Sequence, residues 1–486
     1  MKEPTRPVAP HSRPSFSRSL LPFHRSLFPR SLVISLIAAA ILAVTGARHV
    51  RAQAEGGKVT QEQAAAVERT VQEVRLLKLT HKVPVEVRSS EEAGKLLQAE
   101  FESEYTTDAI ETDGRAGALI GLYPPGLDLK AANMSLLESQ VIAFYDFKKK
   151  TMVIVKGAIE REFPGQPPEL QSKLNGMILA HEFTHALQDQ NFDFGARDEA
   201  LKNNGDRALA LHSVAEGDAT IAGYACMLGR MDSVILAALI ANLGSFSQTF
   251  TGAAAGVPRG VSEPLIFQYT DGVKFVAEAY QRGGWKGVDK LYAEPPQSTQ
   301  QIIDPSLYFE HPTLPSTVTV AGYQAQLAGW RKADEDTLGE LGLRIVLENT
   351  RGTASPDLAL AAGWAGDRIV MLRKGEATSV IWLLAFRDAD SASRFAGLYR
   401  KVLDHLRGHP AAHRVELKDS AVLVVVGEAA NHYDRLGSAV WKASTIAAPP
   451  PAITPGNPSL HVSAPPASLM RPRLLAAGSH RLAAAY

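Results

Sequence analysis

The sequence predicts an α+β domain over residues 55 to 315, followed by a smaller α/β domain over residues 316 to 446. Three observations carry this reading. Residues 141 to 155 (VIAFYDFKKKTMVIV) are two β-rich runs joined by a polar turn, the pattern of a hairpin. Directly after it, a helix opens at Pro167-Pro168-Glu169 and keeps one stripe through Leu170, Leu174, Met177, Ile178, His181 and His185 to about Gln190. Beyond residue 315, strand-like runs at 342 to 349, 368 to 373, 378 to 386 and 421 to 426 are interleaved with helical stretches at 355 to 363 and 388 to 407.

Taken in chain order, residues 1 to 54 read as a signal peptide: a basic, Ser/Pro/Arg-rich start, an uncharged run of sixteen residues from Leu32 to Ala47, and a small-x-small site at Ala52-Gln53-Ala54. Cleavage before Glu55 releases an extracytoplasmic protein, periplasmic or secreted, with no stable membrane span. The alternative is a single-pass anchor, for which sixteen residues fall short of the roughly 20 that cross a bilayer. Residues 60 to 80 place Ala66, Val67, Val71, Val74 and Leu77 at helical spacing, Val83 to Val87 read as a strand, and Ser90 to Tyr105 as a second helix. Gly114, Gly117 and Gly121 read as a flexible turn, and Lys148 to Lys150 as the solvated tip of the hairpin. A polar loop over 191 to 205 leads to a second long helix, Asp206 to about Arg230, and the apolar run 234 to 243 reads as a buried helix. From Ala447 to residue 486 the chain is rich in Pro and Ala without periodicity, a disordered tail.

Composition narrows the chemistry. With 45% hydrophobic and 21% charged residues the chain can bury a sizeable core. The leader holds eight Lys/Arg and one acid, which leaves 43 bases against 50 acids in the rest, a net −7. No broad basic surface is offered to a phosphate backbone, so nucleic acid is excluded as the main partner. The lone Cys226 excludes an intramolecular disulfide framework and any multi-cysteine zinc site; within its apolar helix it reads as a small buried hydrophobe.

The chemistry sits in His181-Glu182-Phe183-Thr184-His185. Two imidazoles at i and i+4 project from one helix face a turn apart, so both can reach one zinc ion. Glu182, beside the first ligand, leans over the open side of the metal, where it can take a proton from water and hand it to a leaving amine. By chance such a string is expected only about 0.04 times in a chain of this composition. A catalytic site needs a third ligand, and Ala215-Glu216-Gly217-Asp218-Ala219 on the next helix offers Glu216 if the two helices pack antiparallel. The small residues Ala215, Gly217, Ala219 and Gly223 permit close approach. His212, one turn earlier, is the rival ligand.

HEFTHALQD resembles the HExxH helix of the gluzincins, the thermolysin-like zinc metallopeptidases. More closely, HEFTHALQDQNFDF with a downstream VAEGDAT resembles a group of exported bacterial proteins described as zinc metallopeptidases. SQVIAFYDFKKKTMVIV, the stretch Gly283 to Tyr308 (GGWKGVDKLYAEPPQSTQQIIDPSLY) and Gly363 to Val370 (GWAGDRIV) are similar to that group as well, so that the resemblance spans roughly residues 135 to 375. It implies a zincin-like fold for residues 55 to 315, zinc ligands His181, His185 and Glu216, Glu182 as general base and acid, and a peptide or protein substrate. One departure stands out. The thermolysin-like enzymes keep an aspartate four residues after the ligand glutamate, where this chain has Thr220; Asp218 or Asp189 would then serve as the acceptor for a ligand imidazole. For the oxyanion-stabilising group, Tyr269 and the His432-Tyr433 pair are candidates. The function so implied is an exported zinc metallopeptidase. The alternative from another class is a non-enzymatic exported binding protein with a structural zinc, for which an uncoordinated Glu182 beside the metal has no use.

Overall fold

The computed structural model describes residues 61–140, 142–162, 165–253, 256–349, 358–406 and 411–449. The leader at 1 to 54, and the tail beyond residue 449, lie outside the described residues. In chain order the elements are α1 (Gln61–Arg75), β1 (Val85–Arg88), α2 (Ser90–Glu104), α3 (Thr107–Ile120), α4 (Leu129–Gln140), β2 (Ala143–Asp146), β3 (Thr151–Val155), α5 (Ala158–Glu162), α6 (Pro168–Phe192), α7 (Phe194–Glu199) and α8 (Gly205–Leu228). Next come α9 (Ser233–Ala253), α10 (Arg259–Ala293), α11 (Thr299–Ile303), α12 (Ser306–Phe309), β4 (Thr317–Thr319), β5 (Arg331–Asp336), α13 (Gly339–Asn349) and α14 (Leu358–Ala361). The chain closes with β6 (Trp364–Lys374), β7 (Ala377–Phe386), α15 (Ala389–His405), β8 (His413–Lys418), β9 (Ala421–Gly427), α16 (Tyr433–Ala443) and β10 (Thr445–Ala447). The architecture is mixed α+β. No helix among the described residues is long and apolar enough to cross a membrane.

The expected hairpin is β2 and β3, with Ala143 opposite Ile154 and Asp146 opposite Thr151, and β1 joins β3 in parallel to give the order β1-β3-β2. β2 is therefore an edge strand. Phe144, Met152 and Ile154 pack with Val71 of α1, Leu97 of α2 and Ile178, Phe183 and Leu187 of α6 in one apolar cluster. The stripe anticipated on α6 turns out to be burial on all sides between Ile178 and Asp189, because the small sheet and α1 cover one face while α8 covers another. The hairpin tip is not merely solvated: Lys150 Nζ lies 2.7 Å from the buried Asp189.

The second sheet has the order β5-β6-β7-β9-β8 and pairs antiparallel throughout. It is thus an α+β unit and not the α/β domain expected: β6–β7 and β8–β9 are joined by tight turns at Gly375 and Asp419, and where helices intervene, between β5 and β6 and between β7 and β8, no neighbouring strands are parallel. Alternate residues face opposite ways. Ile369, Met371, Trp382, Leu384, Val422 and Val424 join the helical core of α3, α8, α10 and α13, whereas Val370, Leu372, Ile381, Leu383 and Val425 meet Leu436 and Val440 of α16. One core consequently runs from the helices into the sheet across residue 315.

Two local readings are corrected. Gly114 and Gly117 lie inside α3, which is capped by the Thr106 side chain at its start and by Gly121 in the left-handed region (φ 84°) at its end; the glycines mark a crowded helix face, where Gly117 abuts the Tyr123 ring. The run 342 to 349 is helical, not extended, because Leu341, Gly342, Ile345 and Val346, spaced i and i+4, are buried against neighbouring helices, and packing overrides the β preference of Ile345-Val346. α10 breaks at Gly283-Gly284, where Gly284 takes φ 58° and ψ −152°, a conformation open essentially to glycine alone.

Candidate metal centre

α6 and α8 run antiparallel: Gly223 faces Met177, while Ala215 faces Gln188. A Cβ on Gly223 would sit 3.0 Å from the Met177 carbonyl oxygen and 3.8 Å from His181 Cβ, so the absence of a side chain there lets α8 close on the HExxH turn. Gly217 serves a different neighbour. Its missing Cβ would lie 2.6 Å from the Gly272 carbonyl oxygen, and that of Gly272 2.5 Å from the Ser213 carbonyl oxygen, so α8 and α10 cross backbone to backbone beside Glu216.

This packing brings His181, His185 and Glu216 together. One ligand atom from each lies within 4.8 Å of the others. The two Nε2 atoms are 3.1 Å apart, His181 Nε2 is 3.2 Å from Glu216 Oε2, and His185 Nε2 is 3.6 Å from Glu216 Oε1. All three residues and Glu182 are only 1–3% exposed. Two imidazole nitrogens and a carboxylate aimed at one point out of water are a poor arrangement for a metal-free core and a natural one for a divalent cation, since Glu216 Oε2 accepts no hydrogen bond. The buried group can hold a metal ion. His212 is elsewhere: its Nε2 pairs with Asp198 at 2.8 Å and its ring packs on Phe194, so Glu216 and not His212 completes the triad.

Glu182 stands beside the triad without belonging to it. Its Oε2 accepts from the Tyr145 backbone N–H at 3.0 Å, while Oε1 has no partner. Burial, reinforced by the Glu216 charge, holds its carboxyl well above the usual range against the pull of that N–H. Burial likewise lowers the His185 imidazole. Against the penalty of burial, His185, His181 and Tyr269 together keep the Glu216 carboxyl below its ordinary value.

The remaining sequence candidates fall on both sides. Tyr269, from α10, is at the site: it is buried, hydrogen-bonds Glu216 and stacks on His181 with ring centroids 6.3 Å apart. His432 is exposed and Tyr433 bonds Glu416 on β8, so that pair belongs to the far side of the sheet. Neither Asp218 nor Asp189 accepts directly from a ligand imidazole. Asp189 is turned to Tyr145 and Lys150, and Asp218 to Arg75 and Tyr292. The partner of His185 Nδ1 is Gln188 Oε1, 2.9 Å away. Gln188 lies one turn after His185 on the same helix, which could have signalled it; nothing in the sequence joins Arg75 to Asp218, 143 positions on. Cys226 is half-buried and not fully buried as expected; it packs against the apolar cluster of α6, and burial pushes its thiol up to about 12.

Residues 325–442 match a family described as a domain of unknown function (DUF8575). Among curated proteins none matches. A solved structure from Chloroflexus aurantiacus, described as "a putative hydrolase with a novel fold", is similar at 15% identity over 57% of this chain and 94% of its own, with a TM-score of 0.35. A likeness of that size carries no argument about fold or function.

Proposed function

We propose that this chain is an exported zinc metallopeptidase with a zincin-like catalytic centre, in line with the gluzincin resemblance of its HEFTHALQD and AEGDA segments. The observation that carries the proposal is the convergence of His181, His185 and Glu216 with an uncoordinated, buried Glu182 alongside. A zinc ion held by the three ligands would supply Lewis acidity, polarising the scissile carbonyl and acidifying water. Glu182 is then the general base and acid. The Tyr145 N–H fixes one carboxylate oxygen and leaves the other free to take a proton from the attacking water and hand it to the leaving amine. Tyr269, with its hydroxyl already at Glu216, is the group placed to donate toward a developing oxyanion.

Substrate binding follows from β2. Since Ile142 pairs with Val155 on the β3 side and Tyr145 N–H points outward to Glu182, the main-chain groups of Ala143 and Tyr145 point away from β3. An extended peptide pairing there would lie along Glu182.

The near-complete burial of all four side chains favours a second reading, a structural zinc in a binding protein. Glu182→Gln separates the two. The peptidase reading expects zinc content equal to the parent and a loss of cleavage on a mixed peptide library of about 100-fold or more. Equal cleavage by both proteins, or none by either on every peptide tried, would reject it in favour of the structural site.

A further inference from the structure

Gln188 ties a metal-facing imidazole to a buried ion pair, and the hydrogen-bond logic of that tie has one solution. Its Nε2 lies 2.9 Å from the Ala215 carbonyl oxygen and 3.2 Å from Asp218 Oδ2. A carbonyl can only accept, as does an ionised carboxylate, so the amide nitrogen must point that way and Oε1 must point to His185 Nδ1. An amide oxygen cannot donate. The proton of a neutral His185 therefore sits on Nδ1, and Nε2, the atom that faces His181 and Glu216, keeps its lone pair. With the opposite orientation of Gln188, Nε2 would carry the proton and the triad would lose a ligand.

What holds Asp218 in its accepting position is Arg75. The guanidinium is fully buried, with Nε 2.7 Å from Asp218 Oδ1 and an Nη 3.2 Å from Oδ2; Tyr292 adds a hydroxyl donor at 2.8 Å. Arg75 also reaches Asp289 at 2.7 Å and lies over the Trp285 ring at 4.8 Å, so both its charge and its flat face are engaged. It is the last residue of α1, which packs on both α6 and α8. A single cation from the first described helix thus compensates the carboxylate against which Gln188 is set.

We propose that Arg75 is a positioning residue for the metal centre: through Asp218 and Gln188 it holds His185 in the Nδ1–H tautomer, and docking of α1 is part of building the site. The proposal rests on the metal reading above. The test uses the full chain labelled with ¹⁵N-histidine, in which long-range proton–nitrogen correlation reads the His185 tautomer with and without zinc and chelator competition reads zinc affinity. The parent is expected to show Nδ1–H in both states. Gln188→Leu is expected to weaken zinc binding by about 10- to 100-fold and to release the tautomer, and Arg75→Met to do the same in milder form. Arg75→Lys, which keeps a charge beside Asp218, should recover most of the affinity. A merely structural Arg75 would lower the unfolding midpoint and leave tautomer and affinity of the folded Arg75→Met protein at parent values; that result overturns the proposal. Where Arg75→Met does not fold, Gln188→Leu, which leaves the ion pair intact, decides by the same criteria. An Nε2–H tautomer in the zinc-free parent overturns it without any variant. A parent that binds no zinc yet shows Nδ1–H rejects the metal reading while supporting the relay.

Discussion

Asp206 opens the helix that carries Glu216, and it is there that pH should act on this fold. The side chain is 1% exposed and accepts both the N–H and the hydroxyl of Thr299 on Oδ1. Burial pushes its carboxyl up to about 7, the Thr299 bonds lower it in part, and the nearby Asp367 and Glu340 raise it further. An unfolded aspartate titrates near 3.9, so the folded chain holds this proton about three pH units more tightly, which corresponds to about 4 kcal/mol. The acid is raised, so the favourable contribution is present in full below about pH 4 and is lost as pH climbs through about 7. Asp206→Asn removes the ionisation while its amide oxygen can still accept from Thr299. The variant should therefore gain on the parent by about 1.4 kcal/mol per pH unit across that interval, reaching about 4 kcal/mol by pH 8. Urea midpoints of both proteins at half-unit steps from pH 4 to 8, in chelator so that metal binding plays no part, measure it; what is common to both proteins cancels in the difference. Two curves that stay parallel within about 1 kcal/mol over the whole range would refute the reasoning, because Asp206 would then titrate as it does in the unfolded chain.

Other outcomes are expected at the site. Purified protein should carry about one zinc per chain, and His181→Ala or Glu216→Ala should lose most of it; full zinc content in the Glu216 variant would discard it as the third ligand. Gly272→Ala should cost about 1–3 kcal/mol in the urea midpoint and weaken zinc binding, since its Cβ meets the Ser213 backbone one turn from Glu216, and an unchanged midpoint would show that α8 and α10 can separate freely. Ala143→Pro should leave zinc content in place and impair peptide turnover, because it deletes an outward N–H on the edge strand; a folded, zinc-loaded variant with parental turnover would remove β2 from the substrate site.

What the sequence determined by itself is local in origin. A 3.6-residue period placed His181 and His185 on one face, and two β-rich runs joined by a polar turn over 141 to 155 set the hairpin, because both patterns are written in residues close along the chain. The nomination of Glu216 required only that two helices fold back on one another, and its small neighbours announced where. Tertiary structure decided everything that depends on which face meets which. It parted Gly223, which admits α6, from Gly217, which admits α10; it turned Ile345-Val346 into a helix against its β preference; and it paired the strands beyond residue 330 antiparallel. It also chose the supports of the metal-facing groups. Gln188 and not Asp218 or Asp189 meets His185, and Arg75 meets Asp218 across 143 residues, because buried polar groups must be satisfied by whatever the packing brings within 3 Å, and no periodicity in the chain encodes that encounter.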